Sequence, residues 1–381
     1  MNKKIVAITS SRADYSHLYW VLKLLEQENS IDLTILAFGP HLSPKYGDTW
    51  QQIEKDGFTN VKKIECLLSS DTDLGMAKSL GLATLSIADY LSELRPDLML
   101  LIADRYEMLA PANVALTMRI PIAHIEGGDV SEGAIDDAVR NALTKMSHIH
   151  FTPTAKAMAR VLAMGEEAWR VHQSGAPSLD HLHKSIIPSK TEIRQRFKLN
   201  ENKLIVVAYH SVTLFKDSAK EQADLFSALS KRKEQIVFCF PNADAGSYKI
   251  IKKAQNFCQK HSNAQIHHNL AAQTYWGLLK VADLMLGNSS SGIMESPSLK
   301  LPCINIGIRQ LGREQAKNII DVNANEHEIG QAIDKALNTE FIESLNDLVN
   351  PYGEGNASEL ISRVLTELAI DDKLLFKKNI L

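Results

Sequence analysis

A chain of 381 residues is long for one hydrophobic core, so its length predicts two domains of roughly 100–200 residues each. With 45% hydrophobic and 23% charged residues it has the composition of an ordinary globular protein, not of a fibrous or disordered one. The 42 basic and 45 acidic residues leave a net charge of −3, which argues against a general nucleic-acid binder and makes any phosphate site a local arrangement.

Residues 4–8 form a compact apolar strand ending at Thr9-Ser10-Ser11. Arg12-Ala13-Asp14-Tyr15-Ser16 follows, and residues 18–25 then place apolar side chains at helical spacing. A strand, a serine-rich turn and a helix suggest the first unit of a doubly wound sheet. No G-x-G-x-x-G occurs here, so a dinucleotide is not indicated, and Arg12 is either a phosphate contact or an exposed loop arginine. Residues 32–39 make a second strand followed by His41 in a loop, 46–55 a helix, 61–66 a third strand and 74–94 a long amphipathic helix. The run 98–103 is almost wholly apolar, as central parallel strands are, and delivers Asp104, Arg105, Tyr106 and Glu107 at its end.

Ligands of open α/β sheets bind outside the carboxyl ends of the strands. Asp104 is therefore either a site carboxylate or the cap of the next helix. Residues 121–125 form another strand, ending in His124-Ile125-Glu126-Gly127-Gly128-Asp129. Strand alternation would put His124 and Glu126 on one face and Ile125 on the other. A helix at 135–146 carries Asp136, Asp137 and Arg140, followed by a strand at 148–152, a helix at 155–164 and a short strand at 171–174. Residues 175–191, bracketed by Pro177 and Pro188, are the expected linker, with His181 and His183 read as solvated rather than as ligands.

The second half repeats the alternation. A strand at 204–208 ends in Tyr209-His210-Ser211, and one at 235–240 ends in Pro241-Asn242, with helices at 219–229, 250–258 and 275–281 and a strand at 265–268. Residues 284–287 are a buried strand running into Asn288-Ser289-Ser290-Ser291-Gly292 and a short helix through Ile293, Met294 and Glu295. Small and hydroxyl residues at such a turn let backbone N–H groups approach an anion, typically phosphate. The plainer alternative is a serine-rich N-cap. A strand at 302–307 leads to Arg309 and Arg313, a further strand lies at 319–322, and a last helix runs from 357 to about 368. Residues 371–381 are expected to be loosely held.

The expected fold is α/β, with two Rossmann-like domains facing across a cleft in the glycosyltransferase-B manner. Residues 1–178 would carry the acid/base groups, 190–365 the nucleotide diphosphate, and 366–381 would be a tail. Ser290, Ser291 and Arg309 would take the diphosphate, Glu295 the ribose, and His210 the phosphates from the other side; Asp104, His124 and Glu126 would point at the sugar. Paired carboxylates beside a neutral sugar suit removal of a proton from carbon and its return. Cations on the diphosphate stabilise the charge that develops as it leaves. No H-E-x-x-H or cysteine cluster is present, so neither a metal nor a cofactor is expected. Cys66, Cys239, Cys258 and Cys303 are widely spaced, no apolar run is long enough for a signal peptide or a membrane span, and the protein is expected in the cytoplasm without membrane or nucleic-acid partners.

These stretches together resemble the hydrolysing UDP-N-acetylglucosamine 2-epimerases of sialic-acid-type pathways. The matching segments are 11–16, 104–107, 124–128, 133–150, His210, Pro241-Asn242, 287–295, Arg309 and Gly312-Arg313, in family order. The resemblance implies anti elimination of UDP to a 2-acetamidoglucal, then hydration with protonation of carbon 2 from the opposite face, yielding N-acetylmannosamine. It carries Asp104 and Glu126 over as the acid/base pair, His124 as their support and His210 as the aid to diphosphate departure. Arg12, Ala13, Ser16, Arg105, Asn242, Ser289, Ser290, Ser291, Gly292, Glu295, Arg309 and Arg313 fall at or beside its nucleotide-binding positions, and a homo-oligomer, dimer or tetramer, is expected. Ser211 departs from the proline many relatives carry. S-R-A-D and N-S-S-S-G, in place of T-R-P-E and D-S-G-G, favour the hydrolysing branch over the non-hydrolysing one. A related reading keeps the mechanism and changes the sugar to a nucleotide-linked 2,4-diacetamido-trideoxy hexose of the legionaminic-acid pathway. Glycosyltransferases of this fold and a non-catalytic nucleotide-sugar binder are more distant alternatives.

Overall fold

The computed structural model describes residues 2–380 apart from 71, 133, 211–218, 241–246 and 269. The chain divides into two compact units: Met1–Asp129, Ile135–Asp180 and Tyr352–Leu381 form the first, Val130–Ala134 and His181–Pro351 the second.

Among the described residues, the first unit holds β1 (Lys3–Thr9), β2 (Ile31–Phe38), β3 (Val61–Ile64), β4 (Leu98–Ile102), β5 (Ile122–Ile125), β6 (Ile149–Thr152) and β7 (Val171–Gln173). They pair in parallel in the order β3-β2-β1-β4-β5-β6-β7. All five residues of β4 are buried, as a strand covered on both faces by helices requires. Period-2 alternation divides its side chains: Leu98, Leu100 and Ile102 pack with helix Arg12–Gln27, and Met99 and Leu101 with helices Asp73–Leu94 and Leu109–Met118.

The second unit repeats the plan with β8 (Leu204–Ala208), β9 (Gln235–Phe240), β10 (Ala264–His268), β11 (Leu284–Gly287), β12 (Cys303–Ile306) and β13 (Ile319–Val322), ordered β10-β9-β8-β11-β12-β13. These pairings too are parallel. Strand order reverses between β1 and β4 in one unit and between β8 and β11 in the other. Those are the positions where open sheets bind ligands beyond their carboxyl ends.

Several expectations are corrected by packing. The first helix begins at Arg12, not at residue 18, because Ser11 caps it and accepts from the Asp14 N–H. Residues 46–55 are not one helix: a 3₁₀ turn, Pro44–Tyr46, precedes helix Trp50–Lys55. The supposed linker is partly core, with Pro177, Ser178, Leu179, Asp180 and His181 buried and the His181 ring 2.7 Å from the Ser185 hydroxyl.

Residues 352–381, read from the sequence as the end of the second domain and a tail, group with the first unit. Helix Ala357–Glu367 buries Ala357, Ile361 and Leu365 in the core of helix Arg12–Gln27. Its free N–H groups at Ala357 and Ser358 are met by Asp180 at 3.0 and 2.9 Å, so the cap comes from a remote turn and not from the Asn356 side chain. Residues 373–376 are also held, since the buried Arg170 donates to the carbonyls of Lys373, Leu374 and Phe376. Among the described residues no helix is long and apolar enough to cross a membrane.

Candidate active site

In the first unit the polar groups gather where β1, β4 and β5 end. Arg12 and Ala13 open the helix that leaves β1, and Ser16 and His17 lie one turn further along it. Asp14 on the same turn is buried and accepts from the Ser10 N–H (3.1 Å) and hydroxyl (2.6 Å), which pins the turn to the strand end.

Asp104 is not a helix cap. Arg105 opens the 3₁₀ turn Tyr106–Met108 that leads into the next helix, while the Asp104 carboxylate is ion-paired with Arg140. Arg140 is 1% exposed, reaches in from helix Asp136–Met146, and also donates to the Asp129 carbonyl at 3.0 Å. The guanidinium of this pair is buried while the carboxylate is 19% exposed, so losing the arginine would leave a carboxylate only partly reached by water. Arg105 donates to Glu107 at 3.1 Å, and burial pushes the Glu107 carboxyl above its ordinary range against the pull of that arginine.

His124 is fully buried, and its Nε2 lies 2.8 Å from the Ala103 carbonyl. A carbonyl only accepts, so Nε2 carries the hydrogen. Burial lowers the ring's pKa to about 4, so it is neutral near pH 7 and Nδ1 holds a lone pair. Nδ1 has no hydrogen-bond partner among the described residues. At Gly127 a Cβ would stand 3.2 Å from that nitrogen, so the missing side chain leaves the ring its place. His124 thus supports the turn that carries Asp104.

Glu126 departs from simple alternation. It lies past the end of β5 in a left-handed backbone, φ +66°, uncommon for a residue other than glycine. Ala103, its neighbour across the pair β4–β5, is also left-handed at φ +60°. The Glu126 side chain, 7% exposed, meets the His17 Nδ1 at 2.9 Å. His17 belongs to the helix that covers the Ala123 and Ile125 face, whereas His124 lies by Thr144 under helix Asp136–Met146. The two side chains therefore do not share a face.

In the second unit β11 ends at Gly287, whose φ is +146° and whose Cβ would fall 2.0 Å from the Ala208 carbonyl oxygen; only glycine lets the two strand ends come this close. Asn288 bridges the switch point. Its side chain accepts from the His210 N–H (2.7 Å) and donates to the His210 carbonyl (2.8 Å), a closed two-bond latch at a residue 1% exposed. The Asn288 carbonyl in turn accepts from Arg309 (2.9 Å) and Gln310 (2.8 Å). Ser289 caps the short helix Ser290–Met294 by accepting from the Ser291 N–H. The Ser291 hydroxyl donates to the buried Glu295 carboxylate. Gly292 sits against Cys303, whose sulfur a Cβ would meet at 2.6 Å. Arg313 reaches the Val130 carbonyl (3.1 Å) and the Met294 sulfur (3.3 Å), tying residues 130–134 to this unit. Asn242 and Ser211 lie outside the described residues.

The sequence reading thus named the residues at the strand ends, and Arg140 and Asn288 without their partners, but not His17 and Gln310. An arginine on the core side of an amphipathic helix was a signal available for Arg140; none existed for His17. Among the described residues no three His, Cys, Asp or Glu side chains gather to hold a metal ion.

Two parallel sheets of matching strand order, each with polar groups at its switch point, define a two-unit α/β protein of the glycosyltransferase-B type. A family profile described as UDP-N-acetylglucosamine 2-epimerase matches residues 23–366, and the chain belongs to that family, in its hydrolysing branch. It is 38% identical over 343 residues to the hydrolysing GDP/UDP-N,N'-diacetylbacillosamine 2-epimerase of Campylobacter jejuni, covering 89% of this chain and 88% of that one. It is 35% identical over 381 residues, the whole of both chains, to the hydrolysing UDP-N,N'-diacetylbacillosamine 2-epimerase of Legionella pneumophila. In fold it is similar to the Neisseria meningitidis UDP-GlcNAc 2-epimerase solved bound to UDP-GlcNAc, with a TM-score of 0.81 at 19% identity over 96% of this chain and 100% of that one.

Proposed function

We propose that this chain hydrolyses a UDP-linked 2,4-diacetamido-2,4,6-trideoxy hexose with inversion at carbon 2, releasing UDP and the free 2-epimeric sugar. The observation that carries the chemistry is the pair of carboxylates, Asp104 and Glu126, held beyond adjacent strands and each fixed by its own partner, Arg140 or His17. The sugar follows the two relatives just described, both named for diacetylbacillosamine; they favour it over the N-acetylglucosamine that the sequence reading put first.

In the first half-reaction one carboxylate takes the proton on carbon 2. The C–H electron pair becomes the C1=C2 bond, and the C1–O pair leaves with the diphosphate. Arg309, His210 and the hydroxyls of Ser290 and Ser291 are the groups proposed to meet that developing charge, with Arg12, Ser16, Arg105 and Asn242 as further nucleotide contacts and Glu295 on the ribose. In the second half the C1=C2 electron pair takes a proton from the other carboxyl group, in its acid form, on the opposite face of carbon 2, while water bonds to carbon 1 and releases one proton to solvent. The four cysteines, none in a disulfide, suit a reducing cytoplasm, where the reaction is proposed to run.

Incubation in deuterated water with the UDP-linked and GDP-linked diacetamido sugars and with UDP-N-acetylglucosamine, followed by NMR, tests this. The expected product is free 2-epimer deuterated at carbon 2, with kcat/KM roughly 100-fold higher for the UDP-diacetamido substrate, since a site built around a polar group discriminates strongly against its loss. Preferred turnover of UDP-N-acetylglucosamine would return the sugar assignment to N-acetylmannosamine formation. A product still linked to its nucleotide would overturn the hydrolytic reading.

A further inference from the structure

Inversion at carbon 2 through two different groups leaves a proton problem. The group that accepts a proton on one face and the group that donates one on the other each end the turnover a proton away from their starting state. Both must exchange with solvent before the next substrate. For Glu126 the exchange needs a route, because its side chain is only 7% exposed. Its left-handed backbone turns it away from the strand face and onto helix Arg12–Gln27.

The group it meets there is His17. Its Nδ1 lies 2.9 Å from the Glu126 Oε1, and its side chain is 23% exposed, more than three times the exposure of the carboxylate. Imidazole is the side chain whose ordinary pKa, about 6.5, lets it take and give a proton near neutrality. A buried carboxylate joined by one hydrogen bond to a partly exposed imidazole has the order of groups that a proton path to water requires. Neither His124 nor Arg140 can serve: His124 is fully buried with its Nε2–H committed to the Ala103 carbonyl, and Arg140 stays protonated and belongs to Asp104.

We propose that His17 is the positioning and proton-relay residue of Glu126, resetting that carboxylate's protonation state in every turnover. The inference rests on Glu126 acting at carbon 2 as proposed above. The relay step is a bare proton transfer: the O–H bond of a protonated Glu126 breaks as the imidazole N–H bond forms, and the second proton of the imidazolium passes to water. When Glu126 is the donor, the same transfers run in reverse. No oxidant, reductant or further reactant takes part.

The test compares kcat and KM of the wild type, His17→Ala and His17→Gln on the UDP-linked diacetamido sugar, with and without free imidazole, across a pH series. Urea midpoints confirm that each variant is folded. His17→Ala is expected to lose about 10- to 100-fold in kcat, with KM changed less than about twofold. Imidazole added at millimolar concentration should restore much of that loss, as it would not for a missing structural contact. His17→Gln, which can hydrogen-bond but cannot carry a proton at these pH values, should stay as slow as His17→Ala. Undiminished kcat in His17→Ala, or recovery in His17→Gln with no response to imidazole, overturns the relay while leaving the function standing. A wild type that releases no 2-epimeric sugar overturns both.

Discussion

The two clusters of polar groups sit at equivalent switch points of sheets that share one strand order apart from the extra edge strand β7, yet they are built from different materials. In the first unit the ends of β4 and β5 carry ionisable groups, and each is oriented by a side chain from a helix distant in sequence: Asp104 by Arg140 and Glu126 by His17. In the second unit the end of β11 is made chiefly of an amide, hydroxyls and backbone, with Arg309 held on the Asn288 carbonyl and Glu295 on the Ser291 hydroxyl. Its principal latch joins Asn288 to His210, which lies beyond the end of β8. One topology thus offers two kinds of site. On the proposed function, groups that must change protonation state need partners that set their charge, whereas groups that only have to cradle a phosphate need close backbone approach and small side chains. The difference also explains where a substitution should be felt as lost chemistry and where as lost grip.

The largest effects are expected at the carboxylates. Glu126→Gln and Asp104→Asn should each lower kcat by at least ~100-fold, the lower end for lost acid–base catalysis, with KM little changed. Near-wild-type turnover in both variants would end the proposed distinction between a cluster that does chemistry and one that grips the nucleotide. Arg140→Met and Asn288→Ala sharpen it. The first leaves Asp104 without its cation and should cost about 2 kcal/mol of stability together with most of kcat. The second orphans the His210 N–H and carbonyl, should cost about 2 kcal/mol, and should raise KM for the nucleotide sugar more than it lowers kcat. Urea midpoints and steady-state kinetics on the same preparations separate the two outcomes, and a kcat loss as large in Asn288→Ala as in Arg140→Met would erase the contrast.

A smaller effect concerns pH. Burial lowers His124 and His148 to about 4 and His41 to about 3, all three in the first unit. These values lie below the ordinary one of about 6.5, so between them the unfolded chain binds more protons than the folded one. Stability is therefore at its full value above about pH 6.5 and falls with acidification toward pH 4, by up to ~1.4 kcal/mol per pH unit for each such histidine. Urea midpoints at about pH 7, 5.5 and 4.5 should decline in that order, and His41→Asn should flatten the decline. A midpoint constant over this range would show that these histidines are not held neutral.

What the sequence decided by itself is local. Runs such as Leu204–Ala208 and Leu98–Ile102 are apolar without interruption, so their strand identity and their burial follow from composition alone, and the polar residues after them must lie at the carboxyl ends. The Gly287–Glu295 stretch was legible for the same reason, since its glycine, amide and serines act within a few residues of one another. Tertiary structure decided the rest. His17 and Glu126 are 109 positions apart, Arg140 and Asp104 are 36 apart, and Asp180 caps a helix 177 residues further on. Which distant groups meet depends on how helices pack across a sheet and on where the chain returns. A strand's period also could not reveal that Glu126 breaks it, because a left-handed residue at a strand end is held by its surroundings and leaves no mark in the pattern of side chains.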